Sequence, residues 1–320
     1  MILGHSTVAI MINEMHLSHR GYTKNVMNRA QIELILQIAE TGSFTAAGEQ
    51  LHMTQPAVSR TIASVEAQLG TKLIKRDKKK GLFFTEVGEQ VLVILRRINS
   101  EFHKVDELIA SEQGLAIGKV HVGVYKTAYT RFLPKIIRMM DERYPGLEVK
   151  LWEGTVDQIK QWLRTDCVDV GFITATDEEF DRFPFVSDEW VVVLPEHHRL
   201  AHQVSISLLD LAEESLLIEQ METKQQVQML FQDQGLVPHV RYEMQHLETG
   251  LKMMEEGLGV VITTRQIIAG LSSESLIRQL ETTETPDIKI AVRNKKEISK
   301  ATEVFIETAQ SLFAETVDRY

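Results

Sequence analysis

The sequence predicts a chain of two parts, a small helix-rich head and a larger α/β body. Its 320 residues are enough for two domains, and 43% apolar with 25% charged residues is typical of globular proteins. Residues 28–83 contain eight lysines and arginines against five acidic residues, although the whole chain has a net charge of -10. From residue 119 onward, short apolar segments alternate with helical segments, which is typical of α/β folds. A basic head on an acidic body indicates a polyanion-binding module joined to a second domain.

The first residues and the single cysteine bear on cellular location. Residues 1–26 lack a basic start, a long apolar core and a small-residue cleavage site, so we do not expect a signal peptide. We expect an unstructured extension there, or translation that starts at Met27 in place of Met1. No apolar run is long enough to cross a bilayer, and Cys167 is the single cysteine. These features favour a cytoplasmic protein without membrane contact, and a redox role for Cys167 lacks a resolving cysteine.

Residues 27–85 have the pattern of a helix-turn-helix followed by a wing. The apolar face of the first helix, within NRAQIELILQIAETG, comprises Ile32, Ile35, Leu36 and Ala39. Gly42 is expected to end this helix, and Ser43 to cap a second one, FTAAGEQLH. The small residues at positions 46–48 would let another helix approach closely.

The segment TQPAVSRTIASVEAQLG predicts the third helix. Thr54 is suited to cap its N-terminus, and Pro56 fits its first turn. Its apolar stripe, expected in the core, comprises Val58, Ile62, Val65 and Leu69. Gln55, Ser59 and Arg60 would then face outward at the exposed end, as in a helix that reads the major groove. A helical hairpin with a solvated polar face is the alternative interpretation.

A lysine-rich segment, KLIKRDKKKGLFFTEVG, follows directly and predicts a hairpin wing that contacts phosphates. The residues expected to contact double-stranded DNA are Ser43, Thr45, Thr54, Gln55, Pro56, Ala57, Ser59 and Arg60 on the helices, and Lys75, Arg76, Lys78, Lys79 and Lys80 in the wing.

These residues resemble the N-terminal domain of LysR-type transcriptional regulators. The resemblance rests on GSFTAA (42–47), Leu51, TQPAVSR (54–60), the spacing of Glu66, Leu69 and Gly70, and TEVG (85–88). The length of the chain and the order of its predicted strands extend the resemblance over residues 28–320. Gly48, the LIKR before the wing and the richness in lysine depart from the usual family pattern. The resemblance implies a regulator that binds an interrupted palindrome in promoter DNA.

Residues 86–115 predict one long helix with a continuous apolar stripe. This linker stripe comprises Val87, Val91, Ile94, Ile98, Phe102, Val105 and Ile109. One interpretation is that this helix packs on its own domain. Packing against a partner helix is the better interpretation, because a helix that connects two domains has little surface of its own chain to cover. The resemblance implies dimerisation here, with Val91, Ile94, Ile98, Phe102 and Val105 at the interface of a homodimer or homotetramer.

For residues 116–320 the resemblance implies two Rossmann-like subdomains, hinged like a type 2 periplasmic binding protein. We expect parallel sheets, with subdomain 1 at about 116–187 and 291–320, and subdomain 2 at about 188–290. The chain would cross between them near 187–190 and return near 287–291.

A small-molecule effector is expected at the strand ends and helix starts of both subdomains. The candidate residues are Lys126, Thr127, Tyr129, Gly154, Thr155 and Thr174 in subdomain 1, and Glu219, Met221, Thr223 and His246 in subdomain 2. Lys126 and His246 would suit a carboxylate or another anion. Simple N-capping is the alternative role for each threonine.

Catalytic motifs are not found in the sequence. It contains no H-E-x-x-H, G-x-S-x-G, P-loop or G-x-G-x-x-G, and His197 and His198 are expected on a polar surface loop. We therefore expect a regulator without enzymatic activity, cofactor or metal, which could also contact RNA polymerase. The alternative is a DNA-binding regulator whose vestigial ligand cleft acts through protein contacts alone.

Overall fold

The computed structural model describes residues 27–77, 81–112, 116–174, 179–220, 222–269 and 276–317. Three of the wing lysines, Lys78 to Lys80, and Met221 lie outside the described residues, and so does the side chain of Thr127. The chain divides into two compact units between Asn99 and Ser100. Within the described residues, no helix is both long and apolar enough to span a membrane.

The described residues of the N-terminal unit form three helices, a two-stranded hairpin and the first part of a long helix. These elements are α1 Arg29–Thr41, α2 Phe44–Gln50, α3 Gln55–Leu69, β1 Ile74–Asp77, β2 Gly81–Phe84 and α4 Glu86–Glu112. Strands β1 and β2 pair antiparallel, with Ile74 opposite Phe84. The predicted helix-turn-helix and wing are therefore present.

Local signals place the first two helices. Asn28 forms a capping box with Gln31 at the start of α1. Gly42 ends α1 in the left-handed conformation, with φ of 63°, and the Ser43 side chain accepts a hydrogen bond from the Ala46 amide. The predicted caps at Gly42 and Ser43 are confirmed.

The core of this unit differs from the predicted one in detail. Leu34 and Ile38 are fully buried, whereas Leu36 and Ala39 are only partly buried. Both α2 and α3 contact α1, and its buried residues include Leu34 and Ile38 beside Ile32 and Ile35, so its buried face is wider than the predicted stripe. Leu69 was expected in the core but is 38% exposed, because it is the last residue of α3.

Gly48 allows the close helix approach that the small residues of α2 predicted. A Cβ at this position would lie 2.6 Å from the backbone oxygen of Met53 and 3.2 Å from Cγ2 of Val58. The Met53 amide also donates to the Gly48 carbonyl at 2.7 Å. The turn before α3 therefore packs directly on the α2 backbone, which explains a glycine in mid-helix.

In the C-terminal unit, the first sheet has the strand order β4-β3-β5-β13-β6. Its strands are β3 Gly118–Val124, β4 Leu147–Glu153, β5 Val170–Ile173, β6 Asp181–Val186 and β13 Ile288–Val292, and its helices are α5 Lys126–Arg131, α6 Leu133–Arg143, α7 Val156–Arg164 and α12 Lys300–Val317. Helices α6 and α12 cover one face of the sheet and α7 covers the other.

The second sheet has the order β10-β9-β11-β7-β12-β8. Its strands are β7 Trp190–Leu194, β8 Ser205–Ser207, β9 Leu216–Glu219, β10 Val240–Met244, β11 Val260–Thr264 and β12 Leu276–Glu281, and its helices are α8 Leu208–Leu211, α9 Glu222–Asp233, α10 Leu247–Glu255 and α11 Arg265–Ile268. Helix α9 packs on one face and α10 on the other. The return strand β13 starts at Ile288, slightly before the predicted subdomain boundary at 291.

The expectation of parallel sheets was wrong, because both sheets are mixed. Strand β7 runs antiparallel to β11 and β12, and β13 runs antiparallel to β5 and β6. These antiparallel strands flank the two points where the chain passes from one sheet to the other.

Three strands and three short helices were missed in the sequence. Strand β6 contains Pro184 and lies at a sheet edge, where a missing N–H is tolerated. Strand β12, LIRQLE, has two charged residues and one polar residue beside its three apolar ones, and β8 has three residues in all. Helices α8 and α11 have four residues each, too few for a periodic signal. The helical pattern RFLPKIIRMMDERY predicted one helix over 131–144, which corresponds to α6, whereas α5 before it was expected as a loop.

Gly48→Ala is expected to destabilise the N-terminal unit by about 1–3 kcal/mol, because the new methyl group clashes with fixed backbone. Alanine's higher helix propensity acts in the opposite direction and offsets about 1 kcal/mol at most. Urea denaturation of the full chain followed by far-ultraviolet circular dichroism measures the loss.

Tryptophan fluorescence provides an internal control for that experiment. All three tryptophans (Trp152, Trp162 and Trp190) lie in the C-terminal unit, so the fluorescence transition should not move. Glu49→Ala, at an exposed position next to Gly48 in α2, is the matched variant and should leave both transitions in place. A Gly48→Ala protein as stable as the parent would contradict the close approach.

Candidate nucleic-acid interface and effector cleft

Helix α3 is held by its apolar side and presents its polar N-terminal end. Val58, Ile62 and Val65 are buried in the core of the N-terminal unit. Among the predicted DNA-contacting residues of this helix, Thr54, Pro56 and Arg60 are exposed, while Gln55, Ala57 and Ser59 are half-buried. The Thr54 side chain makes no capping hydrogen bond, contrary to the prediction, although Thr54 is the N-cap residue. Its hydroxyl is therefore not engaged by the helix start.

Glu66 joins helix α3 to the wing. Its position in the sequence motif did not reveal this role. Its side chain is 6% exposed. One carboxylate oxygen accepts hydrogen bonds from the amides of Leu73 at 3.0 Å and Ile74 at 3.1 Å. The other oxygen lies 2.6 Å from Nζ of Lys72. A buried acid thus satisfies two backbone donors at the start of β1.

The far side of the wing is anchored by the TEVG segment. The Thr85 hydroxyl donates to the Lys72 carbonyl at 2.8 Å and accepts from the Gly88 amide at 3.0 Å. A Cβ on Gly88 would lie 2.3 Å from the Leu73 carbonyl oxygen, so only glycine fits there. Both strands of the wing are therefore fixed where they leave the helical core.

The wing places basic side chains beside the helix starts. Lys75 and Arg76 are exposed on β1, and the Arg76 guanidinium lies 4.6 Å from the centre of the Phe44 ring, a cation–π contact. One surface depression is bordered by the start of α2, the start of α3 and the wing. Its lining includes Ser43, Thr45, Gln55, Arg76, Asp77 and Gly81. The structure thus brings predicted DNA-contacting residues from three elements onto one surface.

In subdomain 1 of the C-terminal unit, the expected effector residues lie at the ends of β3, β4 and β5. Lys126 opens α5, and Tyr129 is exposed one turn later. Thr155 forms a capping box with Gln158 at the start of α7. Gly154 has no room for a Cβ, which would lie 2.5 Å from the Trp162 ring. The N-capping alternative is thus present at Thr155.

In subdomain 2, Glu219 ends β9 and His246 immediately precedes α10. Burial raises the pKa of the Glu219 carboxyl. The positive charge of Lys126 and the hydrogen bond from the Leu247 amide act to lower this pKa, whereas the nearby carboxylate of Glu248 acts to raise it. His246 is exposed and makes no side-chain cap to α10, and Thr223 is half-buried in α9.

Side chains of the two subdomains contact each other. Nζ of Lys126 lies 3.9 Å from a carboxylate oxygen of Glu248, and the Gln226 amide nitrogen lies 3.3 Å from the Thr174 hydroxyl. These contacts place the strand ends of the two sheets opposite each other, as expected of a cleft. Glu248 and Gln226 were missed, because nothing in the sequence separates them from other polar helix residues.

Asp188 marks the point where the chain leaves the first sheet, and sequence reasoning missed it as well. Its carboxylate accepts hydrogen bonds from the amides of Glu189 at 2.8 Å and Gln266 at 3.0 Å. Burial raises the pKa of the Asp188 carboxyl, although these bonds and one from Thr264 act to lower it. Its own amide lies 3.4 Å from a carboxylate oxygen of Asp287 in the returning segment. The two crossing segments are thus tied together.

The structure also describes one of the two adjacent histidines and the potential for metal binding. His198 is not a polar surface residue: its side chain is 17% exposed, and Nε2 lies 3.3 Å from Glu214. Among the described residues, no group of three His, Cys, Asp or Glu side chains is arranged to hold a metal ion.

Most side chains of the linker stripe on α4 are exposed. Its exposed members are Val87, Ile94, Ile98, Phe102, Val105 and Ile109, and Leu108 beside them is 65% exposed. Val91 differs, since it packs against the core of the N-terminal unit.

Comparisons with known proteins place these sites in a family. Residues 30–89 match the family "Bacterial regulatory helix-turn-helix protein, lysR family", and residues 113–314 match the "LysR substrate binding domain". The regulator YvbU of Bacillus subtilis, an uncharacterized HTH-type transcriptional regulator, is 38% identical over 289 residues, which cover 90% of this chain and 99% of YvbU. The chain belongs to the LysR family of transcriptional regulators.

Solved LysR-family structures share the fold. A full-length OxyR variant from Pseudomonas aeruginosa matches with a TM-score of 0.72 and 22% identity, covering 90% of this chain and 94% of that one. Full-length CbnR in complex with its target DNA matches with a TM-score of 0.52 and 22% identity, covering 89% and 99%. This LysR-family chain is therefore a DNA-binding transcriptional regulator with a helix-turn-helix and an effector-binding domain.

Replacing Glu66 tests how the regulator fixes its wing. Glu66→Ala leaves two buried amides without acceptors, so we expect a loss of about 1–3 kcal/mol in the stability of the N-terminal unit. Glu66→Gln should retain most of that stability, because its amide oxygen can still accept from Leu73 and Ile74. Circular dichroism of urea unfolding compares the two variants. Equal losses in both would assign the effect to the ion pair with Lys72 instead.

Proposed function

We propose that this regulator binds promoter DNA with the N-terminal end of α3 in the major groove and the wing against the phosphate backbone. The observation that carries this proposal is the exposed Arg60 on a helix whose opposite side is buried and whose C-terminal half is tied to the wing through Glu66. Arginine and glutamine form bidentate hydrogen bonds with base edges, so Arg60 and Gln55 are the expected base readers. Lys75, Arg76 and lysines 78–80 then supply phosphate contacts.

Replacing Arg60 separates base reading from phosphate binding. Arg60→Ala should weaken binding to a promoter site selected in vitro by about 1–3 kcal/mol and leave binding to scrambled DNA nearly unchanged. Fluorescence anisotropy on both duplexes at several salt concentrations measures this.

Lys75→Ala is the matched control on the wing. It should weaken both duplexes alike and lower the slope of log affinity against log salt by about 1. If Arg60→Ala weakened both duplexes equally, α3 would not be the base-reading helix.

We infer that the linker stripe of α4 is covered by the same stripe of a second chain. Six apolar side chains exposed along one helix form a larger apolar surface than isolated exposed residues. Their spacing of three and four residues suits a helix–helix interface. A dimer places two recognition helices on the two halves of a palindrome, and a tetramer would add a second pair.

A charge inside the linker stripe should dissociate the oligomer. Ile94→Glu would bury a carboxylate opposite its own copy, so sedimentation velocity at micromolar concentration should detect a smaller species. Ser111→Glu adds the same charge to an exposed position on another side of α4 and should not change the mass. An unchanged Ile94→Glu oligomer would mean that another surface holds the chains together.

The effector cleft lies, in this proposal, between the strand ends of the two sheets, where Lys126 faces Glu248 and Thr174 faces Gln226. A small molecule bound there would favour one arrangement of the subdomains, and the segments tied at Asp188 would act as the hinge. The change would alter the spacing of the DNA-binding heads and their contact with RNA polymerase in the cytoplasm. Cys167 is the only cysteine in the sequence, so the proposal involves no intrachain disulfide.

A further inference from the structure

Two of the helix starts at the effector cleft, those of α7 and α10, are already occupied by acceptors of the chain itself. At α7, the Thr155 hydroxyl accepts from the Gln158 amide at 3.2 Å, and the Gln158 side chain accepts from the Thr155 amide at 2.9 Å. At α10, the Glu219 carboxylate accepts from the Leu247 amide. A helix start attracts anions through its free amides. These two helix starts therefore have fewer free amides for an anionic effector than the sequence indicated.

The charges at the centre of the cleft also favour a cation over an anion. Glu219 and Glu248 interact with each other and with one lysine, Lys126, so this triad carries one more acidic than basic group. Glu219 is the more enclosed of the two acids, with its carboxylate desolvated. A desolvated carboxylate needs a cation or donor nearby, and a second carboxylate close by increases that need.

Lys126 is a weak partner for these two acids. Its contact with Glu248 is 3.9 Å long, and the two side chains are 60% and 56% exposed. Exposed ion pairs of this kind contribute little, about 0–1 kcal/mol. An ammonium group on a ligand could therefore replace the Lys126 ammonium with little loss of interaction free energy. The lysine side chain would then no longer have to be held in one conformation.

We propose that the effector of this regulator carries a protonated amine, which Glu219 and Glu248 bind in place of Lys126. The proposal rests on the proposed function, namely that an effector occupies this cleft. Glu219 and Glu248 are then the residues that determine specificity, and both belong to subdomain 2. Lys126, from subdomain 1, competes with the ligand in the free protein, or pairs with a carboxylate where the ligand also has one.

A matched set of four-carbon compounds tests the charge preference directly. Isothermal titration of the full-length protein with putrescine, 4-aminobutanoate, 1,4-butanediol and succinate compares a diamine, an amino acid, a neutral diol and a diacid of the same length. Binding by one or both amines, without binding by butanediol or succinate, is expected. Binding by succinate alone would overturn the amine proposal and leave the effector cleft intact.

Charge-neutral variants test the named residues. Glu219→Gln and Glu248→Gln should each weaken binding of the amine by about tenfold or more, as expected for the loss of a hydrogen bond to a charged group. Glu256→Gln, an exposed acid just after α10, is the matched control and should bind as the parent does. Equal binding by all three variants would overturn the assignment.

Lys126→Gln should change the affinity in opposite directions for a cationic and for an anionic effector. If Lys126 competes with the effector, its removal should tighten putrescine binding several-fold; if Lys126 binds an anionic effector, its removal should weaken succinate binding. Weaker putrescine binding by Lys126→Gln would overturn the competition. Absence of heat for all four compounds with a folded protein would count against the cleft as an effector site, and against the amine proposal with it.

Discussion

The buried carboxylate of Glu66 is the interaction on which the DNA-binding surface depends. It accepts from the Leu73 and Ile74 amides at the point where the chain turns from α3 into the wing. Without that acceptor two buried amides would lack partners, which is costly in a protein interior. The tie fixes the direction of β1 relative to α3, and therefore where Arg76 lies against Phe44. The residues proposed to read bases and those proposed to contact phosphates then lie on one surface.

A different constraint governs the C-terminal unit, namely that its chain passes between two sheets and returns. The two passages lie side by side, since the Asp188 amide approaches the Asp287 carboxylate. They explain why each sheet contains antiparallel strands among parallel ones. They also leave the strand ends of the two sheets facing each other, where Lys126 contacts Glu248 and Gln226 contacts Thr174. Such a geometry suits a protein whose ligand must enter between two bodies and bias their arrangement.

Much of the fold followed from local patterns in the sequence. The three helices of the head, their glycine and serine caps, the long α4 helix and the strands of the two sheets with long apolar runs were all predicted. Each of these has a strong period or a terminal signal of its own. Edge strand β6, with Pro184, and the mixed strand β12 were missed, because their pairing depends on neighbours far away in the chain.

What the sequence by itself determined is the kind of protein: an ordered motif from Gly42 to Gly88 on a basic head, joined to an acidic α/β body. Only the tertiary structure decided which groups meet. It buried Glu66 beside the wing, and it brought Glu219 and Glu248 close to Lys126, the lysine that the sequence had suggested for an anion. The physical reason is that spacing along a chain fixes which side of an element a residue occupies, whereas charge and hydrogen-bond partners come from other elements.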